Sequence, residues 1–255
     1  LTWWIVCLCL QLAAQDAWPQ PPPSSPQTPD QTRHQAEALI EQLGSERFAV
    51  REHATEQLIM LGLSAVPHLE RATRSENREI RQRSQLVVSV IHELDFSHRL
   101  KMFAQDTVGD KSYGLPGWER FRDMVGNTKT SRTLFLQMQK VERDLLGAES
   151  QPAEDATRIF QRRCRRLRFS VSAFSNRHEL PPIAAAVFLA SNPNIALDES
   201  ANMSLIVLCH QLSFENGIKS DSHRPILRTM LAAWILRKDA VPAHDLMMLA
   251  LQHKI

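Results

Sequence analysis

Glycine is scarce: eight residues in 255. They nowhere form the spaced cluster that cradles a phosphate, and no serine sits in the glycine frame of a nucleophile elbow, so neither nucleotide chemistry nor that hydrolase chemistry is expected. Tyrosine occurs once, and β-branched residues rarely alternate with polar ones, which argues against strands. His92-Glu93 and His178-Glu179 each supply half of a helical zinc motif, but neither has a second histidine four residues on. No metal and no cofactor is expected. His210, beside Cys209 on an apolar stretch, reads as a core histidine. Charge is nearly balanced, +2 formally, so it neither demands nor forbids an acidic partner. Aromatics are only 6 % and are not interleaved with basic residues as base stacking requires, so nucleic acid is not an expected partner.

What the chain does have is one pattern written twice. Ser45-Glu46 recurs as Ser75-Glu76, Val50-Arg51 as Ile80-Arg81, Ala54 as Ser84, Leu58 as Val88 and Leu61 as Ile91. Self-similarity at a fixed short period marks a stacked architecture, because no unit can bury its apolar face alone. Each unit reads as two helices and a turn. Val50, Ala54, Leu58 and Leu61 form one stripe at helical spacing, as do Ile80, Ser84, Val88 and Ile91. Gly62 closes a helix, Ser64 is a candidate N-cap, and Pro67 falls in a first turn where a missing N–H costs little. Val50, Arg51, Ile80 and Arg81 are therefore expected to be structural repeat positions, with residues 36–94 forming two helical hairpins.

Val50-Arg51 with Ala54, and Ile80-Arg81 with Ser84, resemble the HEAT repeats of the armadillo-type superfamily. Arg47 and Asn77 stand where that family usually has Asp. The resemblance covers about sixty residues and implies an all-α solenoid of helical hairpins. The overall layout also resembles uncharacterised exported bacterial HEAT-like proteins. Some HEAT-like proteins are DNA-base glycosylases or bilin lyases, but no matching catalytic motif is present here.

The rest reads in segments. Trp3 to Leu10 is apolar and Leu12-Ala13-Ala14 follows, so residues 1–14 look like the end of a secretory signal lacking its basic start. The run is too short to span a bilayer; a short anchor or a fragment edge is the other reading. Residues 15–35, rich in Pro and Gln, read as an extended linker. An exported location, periplasmic, envelope or extracellular, follows from the signal. Residues 95–255 read as irregular helices continuing the solenoid or docked on it, with more helices expected beyond Ile255. Helices are predicted near 98–105, 118–125, around Leu134, Met138, Val141 and Leu145, then over 152–169, and from Ile183 to Ala190 as an apolar core helix. Further ones carry Leu205, Leu208, Cys209 and Leu212, then residues 222–238, then 246–255.

The densest charge is Arg162-Arg163-Cys164-Arg165-Arg166-Leu167-Arg168. With Ile159, Phe160, Cys164 and Leu167 facing a core, Arg158, Arg162, Arg165 and Arg166 point outward. They are either an anion-binding, partner-binding face or a solvated one whose stems cover apolar surface. Cys164 and Cys209 lie on predicted core faces; export permits a disulfide between them, and two buried free thiols is the other reading. The function expected is a non-catalytic interaction scaffold whose partner is another protein. The alternative is an enzyme with its site near the glycine-containing loop 109–117.

Overall fold

The computed structural model describes residues 29–109, 111–172, 179–237 and 243–253, and no strand occurs among them. The signal and most of the linker assigned from sequence lie outside the described residues. The chain divides into two compact units between Phe96 and Ser97.

The first unit contains α1 (Pro29–Gln42), α2 (Phe48–Leu61), a 3₁₀ turn (Gly62–Ala65), α3 (Val66–Ala72) and most of α4 (Arg78–Gln105). The linker assignment overran here: residues 29–35 are the opening of α1, not extended chain. Proline at the first helical position forfeits no hydrogen bond, Asp30 favours the positive helix end, and Arg33 pairs with Glu37 one turn on. Gly62 ends α2 at a φ of 61°, which glycine tolerates without strain. Ser64 is not the cap of α3; its hydroxyl donates back to the Leu61 carbonyl at 2.7 Å. The separate short helix expected at 98–105 is instead the end of α4, which runs unbroken from Arg78.

One aliphatic cluster holds this unit together. Ala36, Leu39 and Leu43 come from α1, Ala54 and Leu58 from α2, and Val66 and Leu69 from α3, with Val87 and Ile91 from α4. Ile80 and Val88 pack against it, half-buried. Ile80 comes so close to Gly44 that a Cβ there would lie 3.0 Å from its side chain. Val50 is half-buried and stands outside this cluster, so the two β-branched repeat positions are not equivalent in packing.

The repeat arginines have identical jobs. Arg51 Nη1 donates to the carbonyls of Ser45 and Glu46 at 2.7 and 3.0 Å. Arg81 Nη1 donates to those of Ser75 and Glu76 at 2.6 and 3.4 Å. Each arginine thus reaches back from the second helix to clamp the loop of its own hairpin, satisfying loop carbonyls that belong to neither helix. Ionic contacts link the copies: Arg83 binds Glu52 and Glu79, each at 2.7 Å, and Arg51 lies 3.1 Å from Glu79. Asn77 accepts from the Glu79 and Ile80 amides as an N-cap of α4.

The second unit adds α5 (Trp118–Val125), α6 (Lys129–Gly147), α7 (Ala153–Ser172), α8 (Leu180–Ala190), α9 (Glu199–Cys209), α10 (Leu212–Lys219), α11 (Arg224–Ile235) and α12 (Ala243–His253). Residues Ile183–Ala190 of α8 are all buried, against α6, α7, α9, α10 and α11, which is why that stretch carries no polar residue. Thr128 and Ser131 form a reciprocal capping box on α6, and Asp198 accepts from the Ala201 amide to cap α9. Two stripes differ from the sequence expectation. In α6, Glu142 leaves helical geometry (φ −132°, ψ 37°); the kink turns Val141 out to solvent and buries Glu142 instead. α9 stops at Cys209, so Leu212 is exposed and His210 is an exposed helix-ending residue, not a core histidine.

The arginine clamp occurs a third time. Arg224, at the start of α11, donates from Nε to the Ile218 carbonyl at 3.2 Å and from Nη2 to that of Lys219 at 2.9 Å. These acceptors lie six and five residues back, as for Arg51 and Arg81. The residues three, seven and ten after the arginine are Ala54, Leu58 and Leu61, then Ser84, Val88 and Ile91, then Leu227, Leu231 and Trp234, and all are buried or half-buried.

Candidate functional site

The arginine-rich helix α7 is amphipathic as its spacing demands. Ala156, Phe160, Cys164 and Leu167 are buried, while Arg158, Arg162, Arg165, Arg166 and Arg168 are exposed. Ile159, expected in the core, is half-buried. Arg163 turns inward: it forks onto Glu142, with Nε 2.8 Å from one carboxylate oxygen. Glu142 is nearly wholly buried, so this guanidinium neutralises the charge brought inside by the α6 kink. Arg158 pairs with Asp155. Cys164 and Cys209 are free, buried thiols, not a disulfide. Burial drives both thiol pKa values upward, which makes them poor nucleophiles.

The loop at 109–117 is bound up in its own support. Asp106 accepts from the Gly109 amide at 2.8 Å, Asn127 donates to the Gly109 carbonyl, Arg99 to that of Gly114, and Gln139 to that of Pro116. Arg132 donates to the Phe103 carbonyl at 2.7 Å and lies 4.0 Å over its ring. Hydrogen bonding from Gly109 holds the Asp106 carboxyl below the usual range against the opposing effect of burial, with Arg132, the Lys111 amide and Tyr113 helping. A carboxylate held that acidic is a weak general base at neutral pH. Trp118, wholly buried, packs on Phe103, Phe121 and Phe135. These groups build a wall around the described part of the loop.

A cleft of about 550 Å³ lies where Lys219, Arg224 and Arg228 meet Glu215 and His253. Burial lowers the His253 pKa; Glu215 opposes this, and His210, Arg228 and Lys219 reinforce it. Lys219 is 3.7 Å from Glu215, and Arg224 is engaged by its clamp and by Asp221 at 2.9 Å. Among the described residues no group of His, Cys, Asp or Glu could hold a metal ion, and no helix is long and apolar enough to cross a membrane.

Sequence reasoning missed a half-buried polar anchor at Arg120 and Glu149. Arg120 contacts Glu149 through Nε at 3.0 Å, donates to Ser191 Oγ and to the Phe188 carbonyl at 2.9 and 2.8 Å, and lies 3.8 Å over the Phe188 ring. Asn192 adds a bond to Glu149 at 3.1 Å. These partners come from α5, the turn after α6 and the end of α8, so no local spacing could have paired them.

Comparison with protein-family models, with curated proteins and with solved structures finds no match.

Proposed function

We propose that this protein is a non-catalytic helical-repeat scaffold of the armadillo/HEAT type, exported to the envelope or beyond, whose partner is another protein. The observation that carries the reading is the arginine clamp, built on loop carbonyls at Arg51 and Arg81 and on helix-end carbonyls at Arg224, with the same five- and six-residue reach. One turn solution reused along a chain is what stacked hairpins require, and stacked hairpins present extended surface for macromolecules. The engaged loop at 109–117 and the inert thiols favour binding over catalysis. The apolar run from Trp3 to Leu10 supports export.

Immobilised full chain exposed to envelope extract tests this. A protein retained saturably and at fixed stoichiometry is the expected result. No retained protein, together with turnover in a screen of ester, glycoside and phosphodiester substrates that is lost on Asp106→Asn, would replace the scaffold by an enzyme.

A further inference from the structure

α7 carries six arginines against Glu154 and Asp155, a local excess of +4 in a chain whose total is +2. Arg158 pairs with Asp155 and Arg163 with Glu142. Arg162, Arg165 and Arg168 are exposed and have no carboxylate within ion-pair reach among the described residues. In sequence, residues 170–178 contain no Asp or Glu and add Arg177 and His178, and Glu179 is the first carboxylate after the helix. Like charges three residues apart, such as Arg162 with Arg165, destabilise a helix when nothing offsets them. Beside them stands Phe169, 70 % exposed. At 100° per residue, Arg162, Arg165 and Phe169 fall within about 60° of one another along roughly 10 Å of helix, with Arg168 about 60° further round from Arg165.

We infer that the outer face of α7 is the docking site for an acidic segment of the partner protein, with Arg162, Arg165 and Arg168 binding its carboxylates and Phe169 covered by one apolar side chain. This rests on the scaffold reading and names the partner's chemistry. Arginine's planar fork matches carboxylates two-pronged, and arginines around one exposed aromatic are the composition of an interface hot spot. A lipid surface suits the face poorly, because the apolar side of α7 is already packed in the core and cannot insert. A nucleic acid strand needs successive stacking platforms, and Phe169 is the one aromatic on this face.

Fluorescence anisotropy with the full chain and a labelled Glu-rich peptide carrying a single leucine tests the site. The parent should bind it, with affinity falling about tenfold or more between low and physiological salt. The variant R162Q/R165Q/R168Q should lose about 30-fold or more and F169A about fivefold, both with unchanged circular dichroism, while R158Q changes it less than about twofold. An Arg-to-Lys triple variant should retain part of the binding, since charge survives and the fork does not. Peptide that fails to bind the parent, or that binds the triple Gln variant equally, overturns the inference. So does tighter binding of an oligothymidylate or of phosphatidylglycerol vesicles than of the peptide. An envelope protein retained equally by parent and triple variant removes this inference and leaves the scaffold reading standing; no retained protein removes the scaffold reading itself.

Discussion

The two units are held together by different kinds of interaction. The first has a core of small and aliphatic side chains, Ala36, Leu39, Leu58, Leu69 and their neighbours, without an aromatic in the cluster. Its polar bonds are the repeated loop clamps and the Arg83–Glu52 and Arg51–Glu79 pairs between copies, whose carboxylates stay open to solvent. The second is centred on rings: Phe103, Trp118, Phe121 and Phe135 pack on one another, and Phe188 meets Phe121 edge-on at 5.3 Å. Its anchors, Arg120 with Glu149 and Arg163 with Glu142, join residues 29 and 21 apart. A core that repeats one hairpin can use small residues, because each helix meets its neighbours at the same spacing. A core of unequal helices leaves irregular gaps, and large rings with buried charge pairs fill and fix them.

The sharpest test of that contrast is Phe188→Ala. It removes a wholly buried ring and the platform under Arg120, and should cost about 4 kcal/mol. Leu58→Ala, also wholly buried in the repeat core, should cost about 3 kcal/mol. Urea denaturation measures both. If Leu58→Ala proves the costlier, the aromatic cluster is not what sets the stability of the second unit.

The repeat copies can be set against each other in the same way. Val50 and Ile80 share a sequence position, but only Ile80 packs on the core and on Gly44. Ile80→Asp should cost about 3 kcal/mol through an unpaired, partly buried charge, and Val50→Asp about 1 kcal/mol. Equal costs in thermal melts would show that Val50 is as enclosed as its repeat partner.

This difference shows how far the sequence could be read. The 30-residue offset exposed the hairpins because identical local needs recur at identical spacing. Spacing alone says nothing of what lies on the other side of a helix, so Val50 and Ile80 looked alike. The same blindness hid the Glu142 kink: the run Leu134, Met138, Val141, Leu145 is a sound helical stripe, and spacing gave no sign that Glu142, paired with Arg163, would take the buried place beside Met138 while Val141 faces solvent. Pro29 was grouped with the prolines before it, although proline is also a helix starter. On α7 the outward arginines were legible from helical angles; which of them have internal partners was not, because Glu142 lies in another helix.

Loop clamps should give smaller, matched effects. Arg51→Gln and Arg81→Gln each remove two charge-assisted bonds to carbonyls from a half-buried arginine, and about 1–2 kcal/mol should be lost in each case. Arg224 is more exposed, so Arg224→Gln should cost about 1 kcal/mol or less. Chemical denaturation of the three variants decides whether the third clamp works like the first two. An Arg224 variant with parental stability would make its resemblance to the others geometric only.

The smallest expected effect concerns Asp106, which fastens the loop at its start. Its folded-state pKa is lowered by the Gly109 amide, with Arg132, Lys111 and Tyr113 adding to this and burial opposing it. A carboxyl whose pKa is lower folded than unfolded contributes stability that is fully present above its unfolded value and disappears as pH falls through its folded value. Asp106→Asn lacks this contribution at every pH. The parent should therefore exceed the variant in stability at pH 7, keep that margin down to the ordinary carboxylate range, and lose it progressively as pH falls below that range. Other carboxylates, such as Glu37 and Glu79, whose pKa values are also lowered, titrate in both proteins and cancel in the difference. A margin that stays constant across this range would mean that the loop is held by the shape of the Asp106 side chain and not by its charge, leaving Asn127 and Arg132 as its main fasteners.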